Sequence, residues 1–487
     1  MYLVNINHKY HYETENLLRL FFPEKIVQGD SIPEGEDGII ASLDGTTVQV
    51  ELTLNGEKST LKKEYNEGEI PSYDTKDSFF ERKLALLMFD ILTEKTGYTP
   101  PWGILTGVRP AKLMSRLALD MGEESAKEYF TDELRVTKEK TELALCVAKK
   151  EAPIINGASD EKSFSLYVSI PFCPTRCSYC SFISHSNDKA RKLMPEYVYY
   201  LVKEIEETGK TAKALGLKLE SVYYGGGTPT ALTEELLRRV TDAVGENFDL
   251  SDIKEYTIEA GRPDSVTEEK FRIMKNCGCN RISINPQTFN DAVLKEIGRN
   301  HTSEQTLSAM KSAREEGFSF INMDLIAGLP TDTLESYKNT IDTVLSLEPE
   351  NITVHTLALK RSATIVTDKR ETNTGDLASE MLSHTYKTLT SAGYIPYYMY
   401  RQSKSLGNLE NVGWAKEGYE GLYNVYMMEE CHTILSVGAG AVTKLKNPNG
   451  NEIERIFNYK YPYEYISDFD EILKRKKRIV EFYETIN

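Results

Sequence analysis

The chain has 487 residues, of which 40% are hydrophobic and 27% charged, and its formal net charge is −16. This length predicts roughly two to four domains. An acidic chain lacks the basic footprint of a nucleic-acid-binding protein, and the sequence holds no run approaching the ~20 apolar residues that span a membrane. The first residues, MYLVNINHKYHYETE, lack the basic start and apolar region of a signal peptide, so we expect a cytoplasmic protein.

Residues 1–150 are predicted to form an α+β extension, to which the residue types alone assign no chemistry. The segments LVNINHKYHYE, GIIASLD and TTVQVELTL are predicted strands, and Asp44 and Gly45 are typical of a hairpin turn. The segments SFFERKLALLMFDILTEKTG and ELRVTKEKTELALCVAKKEA have the apolar spacing of helices.

From residue 163 the chain alternates six times between a short apolar strand and a helix. The predicted strands are SLYVSI (165–170), SVYYG (221–225), EYTIEA (255–260), RISIN (281–285), one within FINMDLIAGLP (320–330), and NITVHTLAL (351–359). Such βα units predict an α/β fold, a partial parallel (β/α)6 barrel over residues 163–375, whose functional loops lie at the carboxyl ends of the strands. An open doubly wound sheet is the alternative.

Residues 376–487 are predicted to form a mostly helical domain that caps the barrel. This tail contains the one dense basic run of the chain, KRKKR at residues 474–478. A solvated helix face is the simpler interpretation, and a nucleic-acid patch is the alternative.

Three of the seven cysteines lie within eight residues, directly after the first barrel strand: Cys173, Cys177 and Cys180. Three thiolates in a C-x3-C-x2-C loop can hold three corners of an iron–sulfur cube and leave the fourth iron open. Structural zinc needs four ligands, usually from paired C-x2-C motifs. His185 is a candidate fourth zinc ligand, whereas Cys277 and Cys279 have the wrong spacing. Buried cysteines without metal are the remaining alternative.

Further chemistry-bearing residues follow the later strands. The turn YGGGTP (224–229) ends the second strand, and its glycines allow the backbone to approach a ligand closely. Glu259, Gln287, Arg299 and Asp324 lie at or near the ends of the next strands. Each of them is either a ligand contact or an ordinary strand-end or turn residue.

The cysteine loop, with an aromatic residue before its third cysteine, resembles that of radical S-adenosylmethionine (SAM) enzymes. The segments SLYVSIPFC, YYGGGTPT, RISINPQTFND, IGRNHT and NMDLIAGLP together resemble the oxygen-independent coproporphyrinogen III oxidase family. WGILTGVRP and the tail segment YRQSKSLGNLENVGWAKEG resemble its HemZ-type branch. The resemblance implies a [4Fe-4S] cluster on Cys173, Cys177 and Cys180, with S-adenosylmethionine at the open iron.

The resemblance also implies a reaction and its residues. In the family, a 5′-deoxyadenosyl radical removes hydrogen from two propionates of coproporphyrinogen III, which lose carbon dioxide to give protoporphyrinogen IX. A reduced flavodoxin- or ferredoxin-type protein would supply the electron. The positions that match the family's cofactor-binding residues are Tyr167, Tyr179, Gly226, Gly227, Thr228, Glu259, Gln287, Arg299, Asp324 and Ala358. Among these, the implied catalytic residues are Tyr167, Glu259 and Gln287.

Two positions depart from the family's oxidase. Phe182 stands where the oxidase has a further cysteine, and Ser169 stands where it has a histidine. The related haem chaperones also carry Phe at the first position. Haem binding is therefore a second hypothesis, with His355, His432 or Cys431 as candidate axial ligands. Another radical reaction on tetrapyrroles, such as haem-opening methyl transfer, is the third.

Coproporphyrinogen carries four carboxylates, so an acidic protein that binds it needs local cations. Bidentate Arg–carboxylate pairing suits propionates. The candidates at strand ends or in the tail are Arg262, Arg299, Lys360, Arg361, Arg401 and Lys404. We expect loss of Arg361 or Arg401 to weaken porphyrinogen binding more than S-adenosylmethionine binding.

Overall fold

The computed structural model describes residues 1–23, 25–71, 74–107, 109–158, 162–181, 188–450 and 452–486. The strands are β1 (Tyr2–Ile6), β2 (Val27–Gln28), β3 (Gly38–Asp44), β4 (Thr47–Leu54), β5 (Glu57–Glu64), β6 (Ser163–Ile170), β7 (Lys218–Gly226), β8 (Glu255–Glu259), β9 (Arg281–Ser283), β10 (Ile321–Ala327), β11 (Asn351–Thr356), β12 (Ile395–Arg401), β13 (Glu410–Ala415), β14 (Thr433–Val437), β15 (Val442–Lys446) and β16 (Ile453–Phe457). The helices are α1 (His11–Phe21), α2 (Lys76–Thr96), α3 (Pro110–Met121), α4 (Glu123–Glu128), α5 (Lys138–Gly157), α6 (Asp188–Ala214), α7 (Glu234–Asn247), α8 (Glu268–Asn276), α9 (Asp291–Glu296), α10 (Ser303–Glu315), α11 (Leu334–Ser346), α12 (Thr364–Thr367), α13 (Gly375–Ser391), α14 (Leu422–Glu429), α15 (Pro462–Ser467) and α16 (Phe469–Ile486). Within the described ranges, no helix is long and apolar enough to cross a membrane.

The chain divides into two compact units. The first comprises residues 1–148, 401–403 and 407–409, and the second comprises residues 149–400, 404–406 and 410–487. The three-part division expected from the sequence stays a prediction.

The first unit contains a five-stranded sheet with the order β2-β1-β3-β4-β5. The β3–β4 hairpin pairs Asp44 with Thr47, as the Asp-Gly turn predicts. One predicted strand, LVNINHKYHYE, is shorter in the structure, because β1 ends at Ile6 and α1 begins at His11. Apolar residues there follow a helical period, and Leu17 and Leu18 are buried in the core of the unit.

The second unit contains an 11-stranded sheet with the order β12-β13-β11-β10-β9-β8-β7-β6-β14-β15-β16. Strands β6 to β11 are neighbours in chain order and are parallel, with helices between them. This confirms the predicted α/β architecture. A doubly wound sheet reverses its strand order at a switch point, and no such reversal occurs between β6 and β11.

Residues 376–487 contain more strand than expected. Five strands, β12 to β16, accompany the helices of this tail and extend both edges of the parallel sheet, through β13 beside β11 and β14 beside β6. Segments such as IPYYMYR and TILSV are rich in the aromatic and β-branched residues that favour strands. The tail is thus a mixture of helix and strand in which the strands belong to the main sheet.

The basic run of the tail lies on α16 and is partly a packing contact. Lys476 is buried, and its Nζ lies 3.0 Å from Glu204 Oε1 and donates to the Ser436 carbonyl over 2.9 Å. The Arg475 guanidinium lies over the ring of Tyr459. The prediction of a solvated face therefore holds only for the exposed residues of this run, Lys474, Lys477 and Arg478.

The parallel sheet has one apolar and one polar face. Side chains alternate between the faces of a strand, so residues in register share a face. The apolar face carries fully buried residues that include Leu166, Val222, Ile258, Ile282 and Val354. The opposite face, called here the polar face, carries Tyr167, Ser169, Tyr223, Thr257, Glu259, Arg281, Ser283, Asn322, Asp324, Thr353 and His355. A sheet face lined by polar groups is suited to bind a polar ligand.

Candidate active site

The cysteine loop follows β6 and is fixed by backbone contacts. Cys177 is buried, whereas Cys173 and Cys180 are half-buried. The Ser178 amide donates to the Ile297 carbonyl over 2.9 Å. In turn, the Ser178 carbonyl accepts from the Ile365 amide over 2.9 Å. The loop is thus held by the segments that follow α9 and β11.

The sulfurs of Cys173 and Cys177 accept hydrogen bonds. Thr228 Oγ1 donates to Cys173 Sγ over 3.5 Å, and Arg262 Nη1 donates to Cys177 Sγ over 3.8 Å. A hydroxyl and a guanidinium thus face the sulfurs of this loop.

The donor set fits a cluster better than a single ion. Each thiolate of a cuboidal cluster binds a separate iron. Three thiols on one loop are therefore enough to hold three of its four irons. Across the ranges that the structure describes, no group of three or more His, Cys, Asp or Glu side chains is placed to hold one metal ion. His185, the candidate zinc ligand, and Phe182 lie outside the described residues.

The glycine turn at the end of β7 packs directly against the cysteine loop. Gly226 has a φ of 102°, a conformation that glycine adopts readily. A Cβ on Gly227 would lie 2.6 Å from the Phe172 carbonyl oxygen and 3.0 Å from Cys173 Sγ. The Gly227 amide donates to the Ile170 carbonyl over 2.8 Å. Only a residue without a side chain fits this position, so the turn and the loop form one unit.

Glu259 ends β8 on the polar face, beside a group of stacked tyrosines. Tyr223 Oη donates to Glu259 Oε1 over 2.6 Å. The ring of Tyr423 stacks on Tyr223 at 4.4 Å and on Tyr167 at 6.1 Å. Burial and, to a smaller extent, the Asp324 charge raise the pKa of Glu259 to about 7, while the Tyr223 hydrogen bond and His355 oppose them. Glu259 therefore exchanges a proton near neutral pH.

Tyr223 and Tyr423 were not predicted as site residues. Tyr423 enters through α14, whose first amides are held by Glu255: Leu422 N donates to Oε2 over 2.7 Å and Tyr423 N to Oε1 over 3.3 Å. The Tyr423 hydroxyl is buried and has no hydrogen-bond partner within the described part of the chain.

Asp324 and Gln287 form a second polar contact. Asp324 accepts from Asn322 Nδ2 over 2.7 Å, and its Oδ2 lies 3.7 Å from His355 Nε2. Burial raises the pKa of Asp324, but His355 and Asn322 outweigh burial and hold it below its ordinary value. The backbone N–H of Gln287 donates to the backbone carbonyl of Asp324 over 2.9 Å, and Gln287 has a φ of 68°. A positive φ is uncommon for a residue with a side chain and is concentrated at functional sites.

Arg299 connects the segment after α9 to the cysteine loop. It is buried, and its Nη1 donates to the Asn285 carbonyl over 2.6 Å. Its Nη2 donates to the Tyr179 hydroxyl over 3.4 Å. Ala358 follows β11 and forms a β-bridge with Ser405. The roles of these residues remain predictions, but most of them lie next to the cysteine loop or to the polar face.

The candidate propionate ligands separate into two groups. Arg262, Arg299 and Arg401 are buried. Arg401 belongs to the first unit, where Nη1 donates to the carbonyls of Leu105 and Gly107 over 2.7 and 3.1 Å. Its guanidinium donates to backbone carbonyls, and the expectation that Arg401 binds a propionate stays a prediction.

The other three candidates are more accessible. Arg361 and Lys404 are exposed, and Lys360 is half-buried. The Leu359 amide donates to the Lys404 carbonyl over 2.9 Å. Burial lowers the pKa of Lys360, and the charge of Lys404 lowers it further. The two amines therefore lie close enough to repel each other.

The candidate haem ligands lie apart. His355 contacts Asp324 on the polar face. His432 is buried, lies 3.4 Å from the hydroxyl of Ser163 at the amino end of β6, and stacks on Tyr426. Burial lowers its pKa to about 4. Cys431 is half-buried.

Comparison with known proteins agrees with this site. Residues 167–344 match the family model of the Radical SAM superfamily. The oxygen-independent coproporphyrinogen-III oxidase-like protein HemZ of Bacillus subtilis is 33% identical over 483 residues, which cover 97% of this chain and 95% of that protein. The heme chaperone HemW of Haemophilus influenzae is 30% identical over 62% of this chain and 75% of its own length. The structure of coproporphyrinogen III oxidase (HemN) from Escherichia coli, described as a radical SAM enzyme, has a TM-score of 0.53 and 25% identity, covering 66% of this chain and 72% of that one.

The fold and the cysteine loop thus define a member of the radical SAM superfamily. The match to HemZ extends along nearly the whole of both chains. The chain belongs to the oxygen-independent coproporphyrinogen-III oxidase-like family.

Proposed function

We propose that this protein converts coproporphyrinogen III to protoporphyrinogen IX by oxygen-independent oxidative decarboxylation. The observation that supports this most is the cysteine loop, which packs against a glycine turn through Cys173 in a chain that is similar to HemZ over 97% of its length. Cys173, Cys177 and Cys180 would hold the cluster.

When bound, the cluster and S-adenosylmethionine would supply the 5′-deoxyadenosyl radical that takes a hydrogen atom from the β-carbon of two of the four propionates, each of which then loses carbon dioxide and passes one electron to an external electron acceptor. The protein's own groups bind and orient. The turn of Gly226, Gly227 and Thr228 would place its backbone against the methionine amine of S-adenosylmethionine. Tyr179 and Arg299 lie beside the cysteine loop, Tyr167 and Asp324 lie on the polar face, and Gln287 and Ala358 complete the proposed nucleotide contacts. Glu259 can accept or donate a hydrogen bond, because its pKa is raised to about 7 by burial.

The cationic rim, defined as Arg176, Lys360, Arg361 and Lys404, is the proposed site for the substrate carboxylates. It adjoins the cysteine loop: Arg176 Nη2 donates to the Ser362 carbonyl over 3.1 Å, and Thr364 Oγ1 donates to the Ser178 carbonyl over 3.1 Å. Repulsion between like charges is relieved when an anion binds between them. A substrate with several propionates is an anion of this kind.

Anaerobic turnover with mass spectrometry of the tetrapyrrole tests the proposal. The reconstituted protein, S-adenosylmethionine, a chemical reductant and coproporphyrinogen III are expected to give carbon dioxide and a product with two vinyl groups. A reduced flavodoxin- or ferredoxin-type protein should replace the chemical reductant. Unchanged coproporphyrinogen, in a preparation that still cleaves S-adenosylmethionine, would reject this reaction while retaining the radical site.

Haem binding is a second candidate function, favoured by the environment of Ser169. Its hydroxyl is buried and donates to the Ala439 carbonyl over 2.7 Å, and its carbonyl accepts from Tyr197 Oη over 2.8 Å. This position of the polar face therefore carries no group that titrates near neutral pH. Stoichiometric haem binding without a decarboxylated product would support this second function, and a linear tetrapyrrole would indicate haem opening.

A further inference from the structure

Arg262 is a buried guanidinium beside the cysteine loop, with only 3% of its surface exposed. It pairs with Asp264 at two points, through Nε–Oδ1 at 3.0 Å and Nη2–Oδ2 at 2.9 Å. Burial raises the pKa of Asp264, but the guanidinium outweighs burial and holds it below its ordinary value. Two parallel bonds fix the plane of the guanidinium, so its third nitrogen points in one direction.

That third nitrogen faces the cysteine loop. Nη1 donates to Cys177 Sγ over 3.8 Å and to the Thr175 carbonyl over 3.4 Å. Cys177 is the one buried cysteine of the three. A charge-assisted hydrogen bond in a region of low dielectric is stronger than the same bond in water.

His301 is a buried neighbour of this contact and faces the charges of Arg299, Arg262 and Asp264. Burial, together with the charges of Arg299 and Arg262, lowers the pKa of its ring to about 3. The carboxylate of Asp264 opposes these charges without cancelling them.

We propose that Arg262 raises the reduction potential of the cluster that Cys177 would help to hold. Reduction adds one negative charge to a cluster, and a fixed cation with a hydrogen bond to a ligand sulfur stabilises the more negative form. The inference rests on the proposed cluster but not on the tetrapyrrole substrate. Arg262 is in this sense a positioning residue, because it acts through Cys177.

A redox titration of the reconstituted full chain, followed by electron paramagnetic resonance, tests the role of Arg262. At the potential where half of the wild-type cluster is reduced, Arg262→Gln should lower the ratio of reduced to oxidised cluster about tenfold. For a one-electron couple this corresponds to a midpoint potential that is about 59 mV more negative. Arg262→Lys should lower it less. Arg272→Gln is the matched control, because Arg272 is an exposed arginine paired with Glu269 on the surface, and it should leave the ratio unchanged.

Asp264→Asn provides the opposite test. It removes the negative charge beside Arg262 and should raise the reduced fraction at the same potential. General damage to the loop would not shift the midpoints of Arg262→Gln and Asp264→Asn in opposite directions. An unchanged midpoint in Arg262→Gln with full iron content would overturn the inference. If Arg262→Gln fails to retain iron, the inference is tested by Asp264→Asn alone. An unshifted midpoint potential in Asp264→Asn would then overturn the inference. A wild-type chain that assembles no cluster would instead overturn the proposed function.

Discussion

Tyr223 donates its hydroxyl hydrogen to Glu259 Oε1 over 2.6 Å, joining the middle of β7 to the end of β8. The two side chains share the polar face because Tyr223 pairs with Thr257, two residues before Glu259. The bond holds the carboxyl group beside Gly225, where a Cβ would lie 3.3 Å from Glu259 Oε1. A titratable group is thereby kept next to the glycine turn that is the proposed nucleotide contact.

Glu259→Gln is expected to stabilise the protein at alkaline pH. Burial raises the pKa of Glu259 to about 7 in the folded state, from 4.5. The carboxyl is therefore harder to ionise in the folded state than in the unfolded state. The free energy of unfolding falls progressively as the pH rises from 4.5 through 7. The neutral amide avoids this cost and can still accept the Tyr223 hydrogen bond. The unfolding temperature should rise by ~2–4 °C at pH 8, the shift expected for about 1 kcal/mol, and change little at pH 5. An equal effect at both pH values would contradict the assigned pKa.

Gly227→Ala is expected to prevent assembly of the cluster. The new Cβ would clash with the Phe172 carbonyl at 2.6 Å and with Cys173 Sγ at 3.0 Å, so the loop must move. Iron and acid-labile sulfide per chain should fall several-fold after anaerobic reconstitution. Gly245→Ala is the matched control: Gly245 lies in α7, a Cβ there meets no atom within 4 Å, and the change should leave iron content intact. Full iron content in Gly227→Ala would show that the turn and the loop are not coupled.

Arg361→Ala is expected to weaken porphyrinogen binding about tenfold, the size of one lost hydrogen bond to a charged group. Arg361 is exposed on the cationic rim, so its loss should leave S-adenosylmethionine cleavage without substrate unchanged. Arg401→Ala should instead lower the unfolding temperature, because it removes contacts to the Leu105 and Gly107 carbonyls. Fluorescence titration with coproporphyrinogen distinguishes the two. Equal affinity in wild type and Arg361→Ala would remove Arg361 from the substrate site.

Lys476→Met is expected to destabilise the second unit strongly. Glu204 is fully buried and accepts from Asn458 Nδ2 over 2.8 Å and from Tyr465 Oη over 2.5 Å, in addition to its contact with Lys476. Removing one member of a buried ion pair costs about 3–5 kcal/mol. Urea unfolding should show the loss, and Lys477→Met, at the exposed neighbouring position, should show almost none. Similar midpoints for the two variants would mean that the ion pair contributes little.

The order of the parallel strands and the cysteine loop could be predicted because both are local patterns. Each central strand is a short apolar run followed by a helix, and the spacing of Cys173, Cys177 and Cys180 lies within a single loop. The repetition of these strand–helix units along the chain was enough to predict a parallel sheet.

The tyrosine group and the tail strands depend on contacts distant in the sequence. Tyr423 stacks on Tyr223 from α14, whose amino end is held by the distant Glu255. Similarly, β14 is a strand by virtue of pairing with β6. The burial of Arg401 against backbone carbonyls likewise has no local signal in the sequence.

The most direct test of the account measures 5′-deoxyadenosine in anaerobically reconstituted protein. The account predicts about four irons per chain and reductant-dependent formation of 5′-deoxyadenosine from S-adenosylmethionine in the wild type. Neither should occur in a variant with serine at Cys173, Cys177 and Cys180. A wild-type chain that holds no cluster, or holds one that never cleaves S-adenosylmethionine, would contradict the central claim that this loop leaves one iron open for that molecule.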